Sequence, residues 1–296
     1  PAAADRRARG VVGNIVAMEQ AIQLGARADS VATEDLLELH RILFAGTEDE
    51  RFGGRIRDRQ NWIGGSSMSP RRAEFVPPPA SEVRPLLDDL CAFVSRSDLP
   101  PVAQAAIAHA QFETIHPFHD GNGRVGRTLI LAILRRRGVA PRYLPPVSLV
   151  LAGRADRYVA GLTSWRNGDD EDWLTVFLDA LERASTGAIA FATAVAELQA
   201  RWIAQSGNPR RDSGPRRLIE LLPGHPIVNV KVVAQLLGGT DERARQTIVR
   251  LGQAGVLRQR SVGRRNRAWE CVGLFELLDR FEQDLGDTAR APRATR

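Results

Sequence analysis

Twelve consecutive residues, His116-Pro-Phe-His-Asp120-Gly-Asn-Gly-Arg-Val-Gly-Arg127, concentrate the side chains best suited to chemistry. An imidazole near its ordinary pKa accepts a proton at neutral pH, so His116 is a candidate general base. Asp120 offers a carboxylate of the kind that holds a hard divalent cation. Gly121, Gly123 and Gly126 allow a ligand or a second backbone to come close. Arg124 and Arg127 carry guanidinium groups that fork onto phosphate oxygens. The combination predicts a proton acceptor beside an anion site, and two arginines so close together suit a polyphosphate.

The flanking segments predict how this set is held. Pro101 to Thr114 is apolar almost all round (Val102, Ala105, Ala106, Ile107, Ala110, Phe112), the pattern of a buried central helix. Val125, Leu129, Ile130, Ile133 and Leu134 recur at helical spacing until Gly138 ends them. The polar cluster therefore lies in a short loop leading into a helix N-terminus. There, free backbone N–H groups and the helix dipole attract an anion. Cations in a first helical turn are unfavourable on their own, and a bound anion between them removes the penalty.

Three other readings compete. Gly121-Asn-Gly-Arg-Val-Gly126 fits the dinucleotide-binding pattern, but that reading needs a preceding strand and an acid about 20 residues on. A helix precedes here, and the next acid after Asp120 is Asp156. Zinc held by His109, His116 and His119 lacks a cysteine or spaced acid to complete the set. A plain structural loop explains the glycines but not the converging polar groups.

The segment resembles the motif of the Fic family, H-x-F-x-[D/E]-G-N-G-R-x-x-R, at every defined position: His116, Phe118, Asp120, Gly121, Asn122, Gly123, Arg124 and Arg127. Similarity extends to Leu39-His-Arg-Ile-Leu43, Gly54-Arg-Ile-Arg57, Gln60-Asn-Trp-Ile-Gly64, Phe75-Val-Pro-Pro-Pro79 and Gln111-Phe-Glu-Thr-Ile115. The resemblance implies a mostly α fold: a Fic-type helical bundle with a β-hairpin flap. It implies AMP transfer from Mg-ATP to a Ser, Thr or Tyr hydroxyl of a target protein, releasing pyrophosphate.

On that resemblance His116 is the base and Asp120 the Mg2+ ligand. Asn122, with the backbone N–H groups of Gly121 and Gly123, forms a hole at the α-phosphate. Arg124 and Arg127 clamp the outer phosphates, and Phe118 anchors the loop. Relatives that phosphorylate carry lysine where this chain has Gly123, which favours AMP. A flap at Gln60, Asn61, Ile63 and Gly64 holds the target segment by strand addition. Tyr158 stands in the base-pocket helix, although Gly153-Arg154 replaces the Asn-Arg pair frequent in relatives. Many relatives also carry an inhibitory S/T-x-x-x-E-[G/N] helix. Ser30 to Glu34 fits its first five positions, but Asp35 follows and Thr33 reads as a helix cap, so the chain as given is expected to be free of that inhibition.

Charge separates the chain into two parts. Arg210 to Arg267 holds thirteen Lys/Arg against four Asp/Glu, a surplus of nine that exceeds the +6 of all 296 residues. Helix, turn, helix and a basic two-stranded ribbon predict a winged helix-turn-helix, with DNA as the partner of Arg243, Arg245, Arg250, Arg264 and Arg265. Docking or dimerisation through the same unit is an alternative, and a homodimer remains open. So does a DNA-binding regulator whose Fic unit senses nucleotide without transfer. The expected organisation is residues 1–35 an N-terminal helical segment, frayed over 1–9 and with helical spacing from Val11 to Leu24 (Val12, Ile15, Val16, Met18, Ala21, Ile22); 36–205 the Fic domain; 206–215 a linker; 216–285 the winged helix; and 286–296 a disordered tail. Cys91 and Cys271 are far apart in apolar settings, which favours a reduced cytoplasmic compartment. No run reaches the ~18 apolar residues of a membrane helix.

Overall fold

Helices make up most of the computed structural model, which describes residues 2–27, 30–65, 69–139, 145–260 and 267–286. Two units divide the chain, Pro1–Glu182 and Arg183–Arg296. In the first, the order is α1 (Ala2–Arg27), α2 (Thr33–Phe44), α3 (Val83–Ser95), α4 (Pro101–Ile115), α5 (Asn122–Arg136), α6 (Val147–Gly153), α7 (Ala155–Arg166) and the beginning of α8 (Asp170–Gln205). No helix among the described residues is long and apolar enough to cross a membrane.

The central helix is α4. Pro101 opens it, where a missing N–H costs nothing. Ala105, Ala106, Ala108 and Ala110 are fully buried, so α3 and α5 approach the α4 backbone closely. Phe112 and Phe118, also fully buried, pack near each other beneath the loop. Each such aromatic contributes about 1.5–3 kcal/mol of burial. Trp173 of α8 ties on by donating from Nε1 to the Ala106 carbonyl at 2.9 Å.

Several sequence expectations need correction. The helix expected from Val11 begins at Ala2, because Ala2–Ala4 and the following arginines are strong helix formers that need no buried face. Its buried face also differs. Gly13, Ala17, Ala21 and Gly25 turn inward, while Val11, Val12 and Ile15 are at least half exposed. Thr33 is the first residue of α2 rather than its cap. Its hydroxyl donates to Asp88 at 2.6 Å, and the carboxylate of Asp35 accepts from the Ala32 N–H at 2.8 Å. The hairpin at residues 60–75 is reduced among the described residues to one antiparallel bridge, Ile63 to Phe75.

The second unit contains the rest of α8, then α9 (Gly214–Leu221), β1 (Ile227–Val228), α10 (Val230–Leu237), α11 (Asp241–Gln253), β2 (Leu257–Gln259), β3 (Trp269–Cys271) and α12 (Leu274–Leu285). The strands form an antiparallel sheet in the order β1-β3-β2, with Val228 opposite Trp269 and Leu257 opposite Cys271. Asn229 and Thr240 cap α10 and α11 through their side chains. Leu198, Trp202, Leu218, Ile219, Val233, Ile248 and Leu251 supply the core. Arg264, Arg265 and residues 287–296 lie outside the described residues.

Candidate active site

His116 closes α4 in a left-handed conformation, φ 48°, while its N–H still bonds the Phe112 carbonyl. A non-glycine residue there is strained by about 1 kcal/mol or more, so its surroundings must hold it. Arg57 does this. It is 2% exposed, and its Nε donates to the His116 carbonyl at 3.0 Å. Its Nη2 donates to the carbonyls of Pro78 and Ile115. The C-terminal carbonyls of α4 thus receive a buried cation, which is the favourable sign for that end of a helix.

The loop from Pro117 to Gly121 is braced from within. Both polar atoms of the Asn122 amide bond the backbone of Phe118, Oδ1 accepting at 2.8 Å and Nδ2 donating at 2.8 Å. The side chain expected at the anion hole is therefore committed to the loop itself. Gly121, with φ 79°, caps α5 and takes a conformation few other residues adopt. The N–H groups of Asn122, Gly123 and Arg124 open the helix and have no intrahelical acceptor.

His40 of α2 supports the same loop from below. Its ring stacks on Phe118 with centroids 3.7 Å apart. The Gly54 N–H donates to Nδ1 at 2.9 Å, so the proton resides on Nε2, which donates to the Asp120 carbonyl at 3.0 Å. Burial lowers His40 to about 4, so it stays neutral. Asp120 itself points outward, its side chain 73% exposed. One carboxylate oxygen accepts from the Gly121 N–H and the other lies 3.3 Å from Arg124.

Both motif arginines belong to α5. Arg124 also lies over the Phe44 ring. Arg127 makes no ion pair among the described residues, and a Cβ at Gly123 would sit 2.9 Å from its Nη1. Gly123 thus makes room for the guanidinium. His116 is pushed down to about 4 by burial, with Arg166 and Arg57 acting in the same direction, so its lone pair is available at neutral pH.

The flap residues are tethered to this loop. Asn61 donates to the Phe118 carbonyl at 3.2 Å, and Gln60 to the Pro77 carbonyl at 2.8 Å. Ile63 uses both backbone groups on Glu74 and Phe75. Gly64 has φ 76°, and a Cβ there would strike Glu74. Tyr158 is turned inward and shares a hydrogen bond with the buried Nε2 of His109 at 3.0 Å. The recess beside it is lined by Val150, Arg154, Val176 and Asp179.

Comparison with known proteins bears on this geometry. The model of the Fic/DOC family matches residues 30–134, which hold the whole motif loop and the helices on either side. Residues 30–134 form a Fic/DOC family domain. The chain is 34% identical over 137 residues to protein adenylyltransferase fic-1 of Caenorhabditis elegans, covering 46% of this chain and 25% of that protein. It is 36% identical over 118 residues to protein adenylyltransferase Fic of Drosophila willistoni, covering 39% and 22%. The matches thus span about a quarter of each relative's length. A Fic family protein from Desulfovibrio desulfuricans shares the fold with a TM-score of 0.54 and 24% identity, covering 90% of this chain and 76% of that one.

The motif alone does not reveal His40, Arg57, Glu113 or Arg166. The first three lie in stretches that resemble the family, but only tertiary contact gives them a task. Arg166 ends α7, with its guanidinium 3.8 Å above the Phe75 ring and its Nη2 donating to the Glu113 carbonyl at 3.3 Å. Its sequence context carries no signal. No group of three or more His, Cys, Asp or Glu among the described residues could hold a metal unaided. A single outward carboxylate beside a phosphate site nevertheless fits Mg2+, which takes one or two carboxylates and fills its shell with phosphate and water.

Proposed function

We propose that the chain is a protein adenylyltransferase that moves AMP from ATP to a Ser, Thr or Tyr hydroxyl of a target protein. The observation that carries this reading is a neutral, largely buried imidazole at the left-handed end of α4, one short loop before the free N–H groups of α5, with two arginines in the first turns of that helix. Relatives named protein adenylyltransferase share the same domain.

In this mechanism the triphosphate lies across the α5 N-terminus. The Gly123 and Arg124 N–H groups stabilise charge on the α-phosphate, while Asn122 keeps the loop in shape. Arg124 and Arg127 bind the outer phosphates. Asp120 is the ligand for Mg2+, which when bound supplies charge neutralisation on the phosphates. The target hydroxyl attacks the α-phosphorus, its proton passes to Nε2 of His116, and the bond to the bridging oxygen breaks to release pyrophosphate. The flap around Ile63 holds the target segment alongside. The residue boundaries 36–205 and 206–215 remain the proposed extent of the catalytic domain and linker.

Labelled ATP with Mg2+ and candidate target protein, read by intact mass, tests the reading. Wild type is expected to add one AMP mass to its target, and His116→Ala to lose transfer by at least 100-fold. Equal incorporation by both proteins would reject it.

For the second unit we propose a winged helix-turn-helix that binds DNA. The supporting observations are the order α9-β1-α10-α11-β2-β3, the short turn at Gly238-Gly239, and the charge surplus of Arg210–Arg267. Arg243, Arg245 and Arg250 line two grooves on either side of α11. Phosphate contacts of this kind bind without regard to sequence and weaken with salt.

A further inference from the structure

Nδ1 of His116 and Oε1 of Glu113 are buried with no hydrogen-bond partner among the described residues, as are Nδ1 of His109 and Nε of Arg166 beside them. Glu113 and His116 are one turn apart on α4, and Oε2 of Glu113 lies 3.9 Å from the His116 Nδ1. A carboxyl group is costly to bury, and the Glu113 side chain is only 7% exposed. Nothing in phosphate or metal binding uses it. We infer that Glu113 is the positioning residue of His116, directing the Nδ1 proton toward itself so that Nε2 is the bare, proton-accepting nitrogen. The reaction served is the proposed AMP transfer; the contact itself stands apart from it.

The surroundings are shaped for this carboxyl. A Cβ at Gly126 would lie 2.6 Å from Glu113 Oε1, so the glycine of α5 leaves the space the acid occupies. The groups facing it are His109 and His116 on α4, Arg127 on α5, and Tyr158 and Arg166 on α7, while the Glu113 backbone carbonyl, as a hydrogen-bond acceptor, and then Arg57 and Asp120 also act on His116. Burial raises Glu113 to about 7, with Arg127 and Arg166 opposing it. The acid is therefore poised between its two forms in the neutral range. When the target hydroxyl gives its proton to Nε2, the imidazolium forms one turn from an acceptor that can carry negative charge. A contact of 3.9 Å is long for a hydrogen bond, and such contacts shorten once substrate is bound.

The test is a long-range nitrogen–proton NMR titration of the histidine rings, with His116→Ala assigning the signals. In wild type the neutral His116 ring is expected as the Nδ1–H tautomer. In Glu113→Gln, above pH 7 where the wild-type Glu113 carries its charge, that tautomer should lose at least half of its population to the Nε2–H form. In the transfer assay, kcat should drop ~10–100-fold while KM for ATP stays within about twofold. An Nε2–H tautomer in wild type, or a Glu113→Gln protein whose His116 keeps the wild-type tautomer and turns over as wild type does, overturns the inference. If Glu113→Gln fails to fold, Glu113→Asp, which draws the carboxyl back by one methylene and leaves the backbone carbonyl in place, replaces it in both measurements, with the same outcomes expected and overturning. If wild type transfers no AMP but its ring still follows Glu113, the adenylyltransferase reading fails and this one stands.

Discussion

Arg57 shows how much a single residue outside the motif can do. Its charge meets backbone carbonyls at His116, Arg59, Pro78 and Ile115 and no carboxylate among the described residues. Arg57→Ala would strand these acceptors and release the strained His116 backbone. We expect a loss of about 3 kcal/mol in urea unfolding, with transfer falling further than stability explains. Arg57→Lys should recover only part, since one ammonium cannot span four carbonyls. The buried histidines give a pH signature. His40, His109 and His116 are each held near 4, below an unfolded value near 6.5. The unfolded chain therefore binds more protons, and the stability present above pH 6.5 is lost as pH falls toward 4. Glu113, raised to about 7, works in the opposite sense and loses stability as pH rises from about 4.5 through 7. With three groups against one, the melting temperature should fall from pH 6.5 to pH 5. His40→Gln, which donates and accepts without titrating, should make that fall shallower.

At the scale of elements, α1 decides how closely the bundle packs. A Cβ at Gly25 would lie 2.4 Å from the Ala132 carbonyl of α5, and one at Gly13 would lie 2.8 Å from the Leu43 carbonyl of α2. Backbone cannot yield as a side chain does. Gly25→Ala should therefore cost about 1–3 kcal/mol, outweighing the gain that alanine normally brings to a helix. Gly252 of α11 is the control: its nearest neighbour would be 3.9 Å away, and Gly252→Ala should stabilise by a few tenths to about 1 kcal/mol. Denaturant midpoints of the two variants should move in opposite directions. The spacing of Val12, Ile15 and Val16 announced a helix but pointed to the wrong face. Close contact of backbones, made possible by small residues, won over burial of larger apolar ones.

Across the whole molecule, chemistry and charge are kept apart. The motif lies in the first unit, and the basic surplus in the second. If the second unit binds duplex DNA, log affinity should fall linearly with log salt. Arg243→Ala with Arg250→Ala should reduce that slope by about 2 without changing sequence preference. His116→Ala should leave the slope unchanged. Binding that ignores salt would turn the assignment toward protein docking.

The sequence by itself determined the chemistry of the motif and the helices beside it. Residue types and 3.6-residue spacing suffice where one loop of twelve residues carries the whole set. It also indicated the order of helices and strands in the second unit, through caps such as Thr240 and turns such as Gly238-Gly239. Only the tertiary structure decided which partners hold that loop. Arg57 reaches His116 across 59 positions and His40 reaches Asp120 across 80, and no local pattern encodes such meetings. The same holds for Asn122, whose amide turned to its own loop because a buried turn must satisfy its backbone before it can serve a ligand.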